Sequence, residues 1–453
     1  MKIPMSPPVL AKLLADSAPE RVVPAMHAAR GSVAEYYHWD EMRHRTPPEG
    51  LTTLEWWLGL KLARISSKRN VGLFDRHGKP FSFNLPDAVL EQLHFIDQHA
   101  AGQIQIAEEV TNSASRDRYI ISSLIEEAIT SSQLEGASTT REVARQMIRS
   151  GRRPSNKSEQ MILNNFHAME YVRSRATEPL SPGMVFELHR IVTADTLNEP
   201  ADAGRFRSDD DHIVIEDATG NILHVPPSAG ELDSRLKALC AFANDETEGA
   251  FVHPVVRAMI LHFTIGYDHP FVDGNGRTAR ALFYWGMLSR GYWLAEYVSI
   301  SRILKLAPSQ YARAFLYTET DDNDLTYFVL HQLKVMRRAI DELQEHLRRK
   351  VKEVREVQHL LRGDQSFNHR QLALLGHALR HAGTSYTIQS HQRSHGVVYQ
   401  TARTDLLDLA ERGLLVQHKV GKSFVFVAPA DLADLLARVR TPPNMPLPPW
   451  ATT

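Results

Sequence analysis

The stretch His269-Pro270-Phe271-Val272-Asp273-Gly274-Asn275-Gly276-Arg277-Thr278-Ala279-Arg280 decides how the rest of the chain is read. The apolar run HPVVRAMILHFTIGY, beginning at His253, is expected as a helix that delivers the chain to His269. A second helix is expected just after the glycines, in RTARALFYWGMLSRG. Gly274 and Gly276 let the backbone aim consecutive N–H groups at one point. The start of the second helix adds free N–H groups and the positive end of its dipole. Arg277 and Arg280 share a helical face near that start. Amides and two guanidiniums together suit a polyphosphate. Asp273 is one hard oxygen ligand beside them, suited to Mg²⁺ shared with phosphates. His269 at the rim is a candidate base near neutral pH. The plainer reading is a glycine turn with solvated arginines. It serves a lone Gly-x-Gly, but not a His, an Asp, an Asn, two Gly and two Arg within 12 residues.

Outward from this loop the periodicity is mostly helical. DRYIISSLIEEAIT places Tyr119, Ile120, Leu124, Ala128 and Ile129 near one face, and Gly136 is expected to end that helix. Further helices are expected over Ser158–Arg173 and Ser181–Val192, the latter with Ser181 as N-cap and Pro182 at the first position. His212–Val225 reads as a β-hairpin about Asp217–Asn221, ended by Pro226-Pro227. Another strand–turn–strand is expected in LFDRHGKPFSF, turning at Gly78, after a helical run with Trp56 and Trp57. Asn323–Thr326 caps a long helix to about Leu361 whose last part is charged nearly all round, as a solvated spacer would be.

Composition bounds the answer. The 453 residues allow two to four domains. With 52 Lys and Arg against 53 Asp and Glu, the chain is neither a polyanion-coating protein nor an acidic disordered tail. Cys240 is the single cysteine, so no intrachain disulfide forms and a reducing compartment is expected. No signal peptide or spanning helix is read, so a cytoplasmic protein with no membrane partner is expected.

HPFVDGNGRTAR resembles, position for position, the signature of the Fic family, and the resemblance extends over roughly residues 115–335. SSQLEGAS resembles the inhibitory-helix motif of members that carry it upstream of the catalytic loop. GRFR at Gly204–Arg207 with the following hairpin resembles the family's flap, which clamps a target backbone by strand addition. The resemblance implies AMP transfer from ATP to a Ser, Thr or Tyr hydroxyl of a protein or of the chain itself. By it, His269 is the base and Asp273 holds Mg²⁺. Gly274, Asn275 and Gly276 form the anion hole, and Arg277 and Arg280 hold the β- and γ-phosphates. Tyr311 stands on the adenine side, although a core tyrosine is an equal reading. Ser131, Glu135 and Gly136 make the inhibitory motif, with Glu135 pairing Arg280 and displacing the γ-phosphate. Ile213, Val214, Ile215, Glu216 and Asp217 form the clamping strand. Glu126 and Glu127 fall too early for the inhibitory role and are expected in solvent. His253 and His262 lack the partners of a zinc site, and His262 is expected in the core.

The C-terminal region has its own order. A turn at Gly396 precedes a helix through Ala410, Gly413 caps it, and two strands flank Val420-Gly421-Lys422. That order resembles a winged helix-turn-helix. From Phe367 to Val427, seven Lys/Arg against three Asp/Glu leave +4, which suits phosphates. Gln400, Thr401, Arg403 and Thr404 are placed to face a groove of duplex DNA; protein contact or a homodimer is the competing use.

The fold class expected is mainly α: a Fic-type helical core with a β-hairpin flap, plus a C-terminal winged helix-turn-helix domain. The domains expected are an accessory region at 1–85 and the core at 86–335, with the inhibitory helix at about 117–136. A helical linker at 336–362, the winged helix at 363–440 and a disordered tail at 441–453 follow. The function expected is protein adenylyltransfer, with ATP and Mg²⁺, restrained by Glu135. Removal of AMP by the same site, or a transcription regulator whose core only senses ATP, are the alternatives.

Overall fold

In the computed structural model, residues 1–29, 35–101, 113–217, 219–247, 251–361, 366–380, 384–420, 423–429 and 431–440 are described. The tail expected at 441–453 and the wing turn at Gly421-Lys422 lie outside them. The chain divides into two compact units, residues 1–102 with 122–340, and residues 103–121 with 341–453.

The first unit opens with helices Leu10–Asp16 (α1), Pro19–Ala29 (α2), Trp39–Met42 (α3) and Thr53–Ile65 (α4). Thr52 and Glu55 form a reciprocal capping box that starts α4. The hairpin Arg69–Phe74 (β1) and Pro80–Phe83 (β2) turns at Gly78, whose φ of 77° suits glycine. The region 1–85, expected as an accessory, packs into the same unit as the loop from His269 to Asn275. Phe81 meets Phe263 and Tyr267 edge-on, at 5.4 and 5.0 Å. Lys61 on α4, 4% exposed, needs a buried counter-charge and finds Asp321 at 2.6 Å. Composition of the first 85 residues does not show these pairings.

Helices Asp87–Ile96 (α5), Ser113–Leu134 (α6), Arg141–Ser150 (α7), Lys157–Ser174 (α8) and Pro182–Thr193 (α9) follow. Ser181 caps α9 by accepting from the N–H of Met184, with Pro182 at its first position. Ile120, Leu124, Ala128 and Ile129 are buried along α6. The flap hairpin pairs Ile215–Glu216 (β3) with Ile222–His224 (β4), antiparallel. Then come Leu232–Asn244 (α10), Pro254–Asp268 (α11), Asn275–Leu288 (α12), Ile300–Leu306 (α13), Pro308–Thr320 (α14) and Thr326–Leu361 (α15). Asp324 accepts from the N–H of Thr326 at the start of α15. Helices α11 and α12 are buried on nearly every side, so the loop between them is carried by the core itself.

The second unit holds His369–Arg380 (α16), Ser385–Thr387 (β5), Ile388–His395 (α17), Tyr399–Glu411 (α18), Val416–Val420 (β6), Ser423–Val427 (β7) and Leu432–Arg440 (α19). Its sheet is antiparallel in the order β5-β7-β6. Leu375, Leu406, Leu409, Leu414 and Phe426 are fully buried in a core of its own. Gly396 and Gly413, both at positive φ, end α17 and follow α18. Among the described residues, no helix is long and apolar enough to cross a membrane.

Candidate active site

The loop from His269 to Asn275 joins α11 to α12. His269 caps α11 in the left-handed region, φ 45°, an uncommon conformation for a residue with a side chain. Several buried bonds hold it there. Arg207 donates from Nε to the carbonyl of His269 at 2.8 Å, and its N–H donates to the carbonyl of Pro270 at 2.9 Å. Asn275 staples the loop across its own turn: its Oδ1 accepts from Phe271 N–H at 2.9 Å and its Nδ2 donates to Phe271 O at 2.7 Å.

His269 Nδ1 lies 3.1 Å from the carbonyl of Gly266. A carbonyl only accepts, so Nδ1 carries the proton and Nε2 is left with its lone pair. Burial pushes the His269 pKa below the usual imidazole range, which keeps the ring neutral.

Beyond the loop, α12 begins behind Gly274, at φ 83°. Its first intrahelical bond runs from Thr278 N–H to Gly274 O. The N–H groups of Asn275, Gly276 and Arg277 precede that bond and have no intrahelical partner. Over them sits the Glu135 carboxylate: a Cβ built on Gly276 would stand 2.2 Å from Glu135 Oε1. No side chain larger than hydrogen fits between the helix start and this carboxylate.

Glu135 Oε1 accepts from Arg280 Nη2 at 2.9 Å. Arg280 also donates from Nε to Ser131 Oγ at 2.9 Å and from Nη2 to Ser131 O at 3.0 Å. The guanidinium is buried, which opposes its charge, yet Glu135 holds its pKa above the ordinary value. Gly136, at φ 91°, turns the chain away after α6. The structure therefore brings Ser131, Glu135, Gly276 and Arg280 together from two separate helices.

Two residues of the loop sit differently from expectation. Arg277 has no exposed side-chain surface. It donates to the carbonyl of Val192 at 3.0 Å and approaches Asp273 at 3.4 Å, so here it braces the loop. Asn275 spends its side chain on the staple, which leaves only its backbone N–H facing the helix start. Asp273 itself is about half exposed.

Tyr311 donates to or accepts from His262 Nε2 at 2.7 Å. Burial raises the Tyr311 pKa to about 12 and drives that of His262 well down. His262 is in the core, as expected. The flap is shorter than expected. Of Ile213–Asp217 only Ile215 and Glu216 pair, because the register shifts between them and Pro226-Pro227 stop the partner strand. Asp217 forms the turn, accepting from Thr219 and Asn221.

Glu126 and Glu127, expected in solvent, are not there. Glu126 pairs with Arg141 and Arg145. Glu127 is 2% exposed and accepts from Tyr284, Ser299 and Ser301. His189 and Arg207 were also missed as site residues. Arg207 had a signal, since it closes the GRFR stretch; His189 had none, standing alone in a helix.

Residues 179–287 match the family model described as Fic/DOC family. This segment is similar to Fic domains. Curated proteins named "Protein adenylyltransferase Fic" are similar to it. That of Nematostella vectensis is 29% identical over 171 residues, covering 36% of this chain and 37% of that protein. That of Drosophila virilis is 32% identical over 133 residues, covering 29% of this chain and 25% of that protein. The match thus spans 25–37% of those relatives' own length. The crystal structure of a Fic family protein from Desulfovibrio desulfuricans G20 covers 76% of this chain and 97% of its own, with a TM-score of 0.50 at 19% identity. That likeness is one of fold.

Among the described residues, no three His, Cys, Asp or Glu gather to hold a metal ion. The loop offers instead one half-exposed carboxylate, Asp273, at the mouth of an amide-lined helix start. That donor set fits Mg²⁺, which keeps most of its ligands as phosphate oxygens and water.

Proposed function

We propose that this chain transfers AMP from ATP to a hydroxyl of a protein target or of itself. The observation that carries the reading is the pairing of an unprotonated His269 Nε2 with the amide-rich start of α12. His269 takes the proton of the target Ser, Thr or Tyr hydroxyl. The oxygen attacks the α-phosphorus of ATP, the bond from that phosphorus to the β-phosphate bridge breaks, and pyrophosphate leaves. The N–H groups of Asn275, Gly276 and Arg277 receive the phosphate oxygens, and Arg280 receives the γ-phosphate once it is free. Such transfer depends on positioning and charge neutralisation, which a preorganised amide nest provides. Asp273 would hold Mg²⁺, whose part is to neutralise phosphate charge. Arg277 keeps Asp273 and the loop in place, and Tyr311 borders the adenine side. Ile215 and Glu216 of the flap receive the target backbone.

Glu135 restrains this reaction. Its carboxylate occupies both Arg280 and the space above Gly276, where the terminal phosphates would lie. Incubation with α-labelled ATP tests the reading: Glu135→Gly labels itself or lysate proteins strongly, and the wild type weakly. Absence of labelling by Glu135→Gly would overturn it. A carboxylate so near the reaction centre also favours a second reading, removal of AMP by a water that Glu135 orients. Release of AMP from a pre-labelled protein by the wild type, and not by Glu135→Gly, would establish that direction.

We read the second unit as a winged helix-turn-helix, with α18 as the helix that enters the major groove of duplex DNA. Its exposed Gln400, Arg403 and Thr404 support that use. A transcriptional role and a homodimer through this unit are the competing readings, separated by DNA binding and by mass in solution.

A further inference from the structure

Glu127 is a buried carboxylate held without a cation. Its Oε2 accepts from Tyr284 Oη at 2.9 Å, Ser299 Oγ at 2.7 Å and Ser301 N–H at 3.1 Å, and its Oε1 accepts from Ser301 Oγ. Among the described residues it forms no ion pair with Lys, Arg or His. Four neutral donors therefore replace the water that a carboxylate requires.

The placement of these bonds matters as much as their number. Glu127, Ser131 and Glu135 recur every four residues along the last turns of α6 and beyond, on one face. Tyr284 and Arg280 are likewise four apart on α12. The two helices are stitched by two rungs, Glu127 to Tyr284 and Ser131 with Glu135 to Arg280. One turn separates them. Thr130 adds a contact to Ser299 at 3.2 Å.

We propose that Glu127 is the positioning residue that holds the inhibitory segment in place, so that it, more than the exposed end of Glu135, sets how tightly the Fic domain is restrained. This rests on the adenylyltransfer reading only for its activity consequence. If α6 lifts away, Glu127 regains water but leaves Ser299 and Ser301 with unpaired buried donors, while Tyr284 keeps only the carbonyl of Val298 at 3.2 Å. Glu135, with a side chain 28% exposed, loses only one partner that water and phosphate can both replace. Ser131 adds two buried bonds to Arg280, so the resistance to release lies in the buried groups Glu127 and Ser131 and not in the Glu135 carboxylate.

Two measurements test it. Amide hydrogen exchange over residues 131–137 should speed up at least tenfold in Glu127→Gln, whose amide cannot accept from all four donors, and less in Ser301→Ala. AMP labelling should rise at least threefold in Glu127→Gln over wild type, and less than twofold when the same change is added to Glu135→Gly. A merely structural residue would lower labelling in both backgrounds. Wild-type exchange rates in Glu127→Gln would overturn the proposal, whatever the enzyme activity proves to be. Faster exchange with no labelling by Glu135→Gly would leave the anchor standing and remove the adenylyltransfer reading. Should Glu127→Gln fail to fold, unchanged exchange in both Ser301→Ala and Tyr284→Phe would overturn the proposal, and faster exchange in either would support it.

Discussion

The imidazole of His189 lies flat against the ring of Phe271, 3.8 Å between centroids and 9° between planes. The same ring links α9 to Gly204 and to Asp273 of the loop. Its Nδ1 accepts from Gly204 N–H at 2.9 Å, and its Nε2 donates to Asp273 O at 2.9 Å. Replacing it with Ala should leave a part-buried carbonyl and a part-buried N–H without their protein partner, at a total cost of about 1–3 kcal/mol. His189→Ala should therefore lower the denaturation midpoint and reduce labelling at least tenfold. Burial lowers the His189 pKa to about 4. Since the unfolded chain protonates near 6.5, the stability from this ring should be fully present above about pH 6.5 and be lost as pH falls toward about 4. Urea unfolding at a series of pH values checks the slope.

His269→Ala should abolish AMP transfer while ATP binding survives, because the base acts on the hydroxyl and not on the nucleotide. The folded pKa of His269 is depressed by burial. Its base form should therefore persist below the ordinary histidine range, and the transfer rate should stay flat as pH falls through 6.5. A rate that halves at the ordinary value would show that the titrating base is another group.

Arg280→Ala added to Glu135→Gly should cancel the activation that Glu135→Gly gives alone. That activation is expected to reach at least tenfold, which corresponds to about 1.4 kcal/mol of barrier. If the double variant keeps the gain, the freed arginine is not what receives ATP.

Asp273→Ala should weaken metal-dependent labelling, with partial recovery at high Mg²⁺. Arg277 loses the carboxylate it approaches at 3.4 Å in this variant, so circular dichroism should be compared alongside. Unchanged metal dependence would take Asp273 out of the metal role.

Binding of the full chain to a DNA duplex should fall steeply with salt, as release of condensed counterions requires. Arg403→Ala should reduce the slope of log affinity against log salt by about one if that residue meets a phosphate. No binding at low salt would favour a protein-contact use of α18.

The loop was legible because its residues are neighbours in sequence, and their spacing alone puts them at one helix start. Ser131 and Glu135 were legible as a pair for the same reason. What stayed hidden depends on distant partners. Glu127 looked like a surface acid on a helix because nothing near it signals Tyr284 or Ser299. His189 meets Asp273 across 84 positions. The inward turn of Arg277 follows from a carbonyl, Val192 O, that no side-chain pattern announces. The five-residue flap strand was overread because alternation reports on a strand but not on how far its partner runs.

If the hairpin receives a target backbone as proposed, its shortness has a consequence for how a target is chosen. Ile215 and Glu216 present only a few main-chain groups to an incoming chain. Each hydrogen bond there would add about 0.5–1.5 kcal/mol net, against the roughly 8 kcal/mol that micromolar association requires. Such a grip reads almost nothing of the amino acids around the hydroxyl. Selectivity then has to arise from surfaces far from the phosphate, or from tethering, where a hydroxyl of the same chain or a docked partner arrives at millimolar effective concentration. Short synthetic peptides spanning an acceptor site would accordingly be poor substitutes for the folded protein they come from.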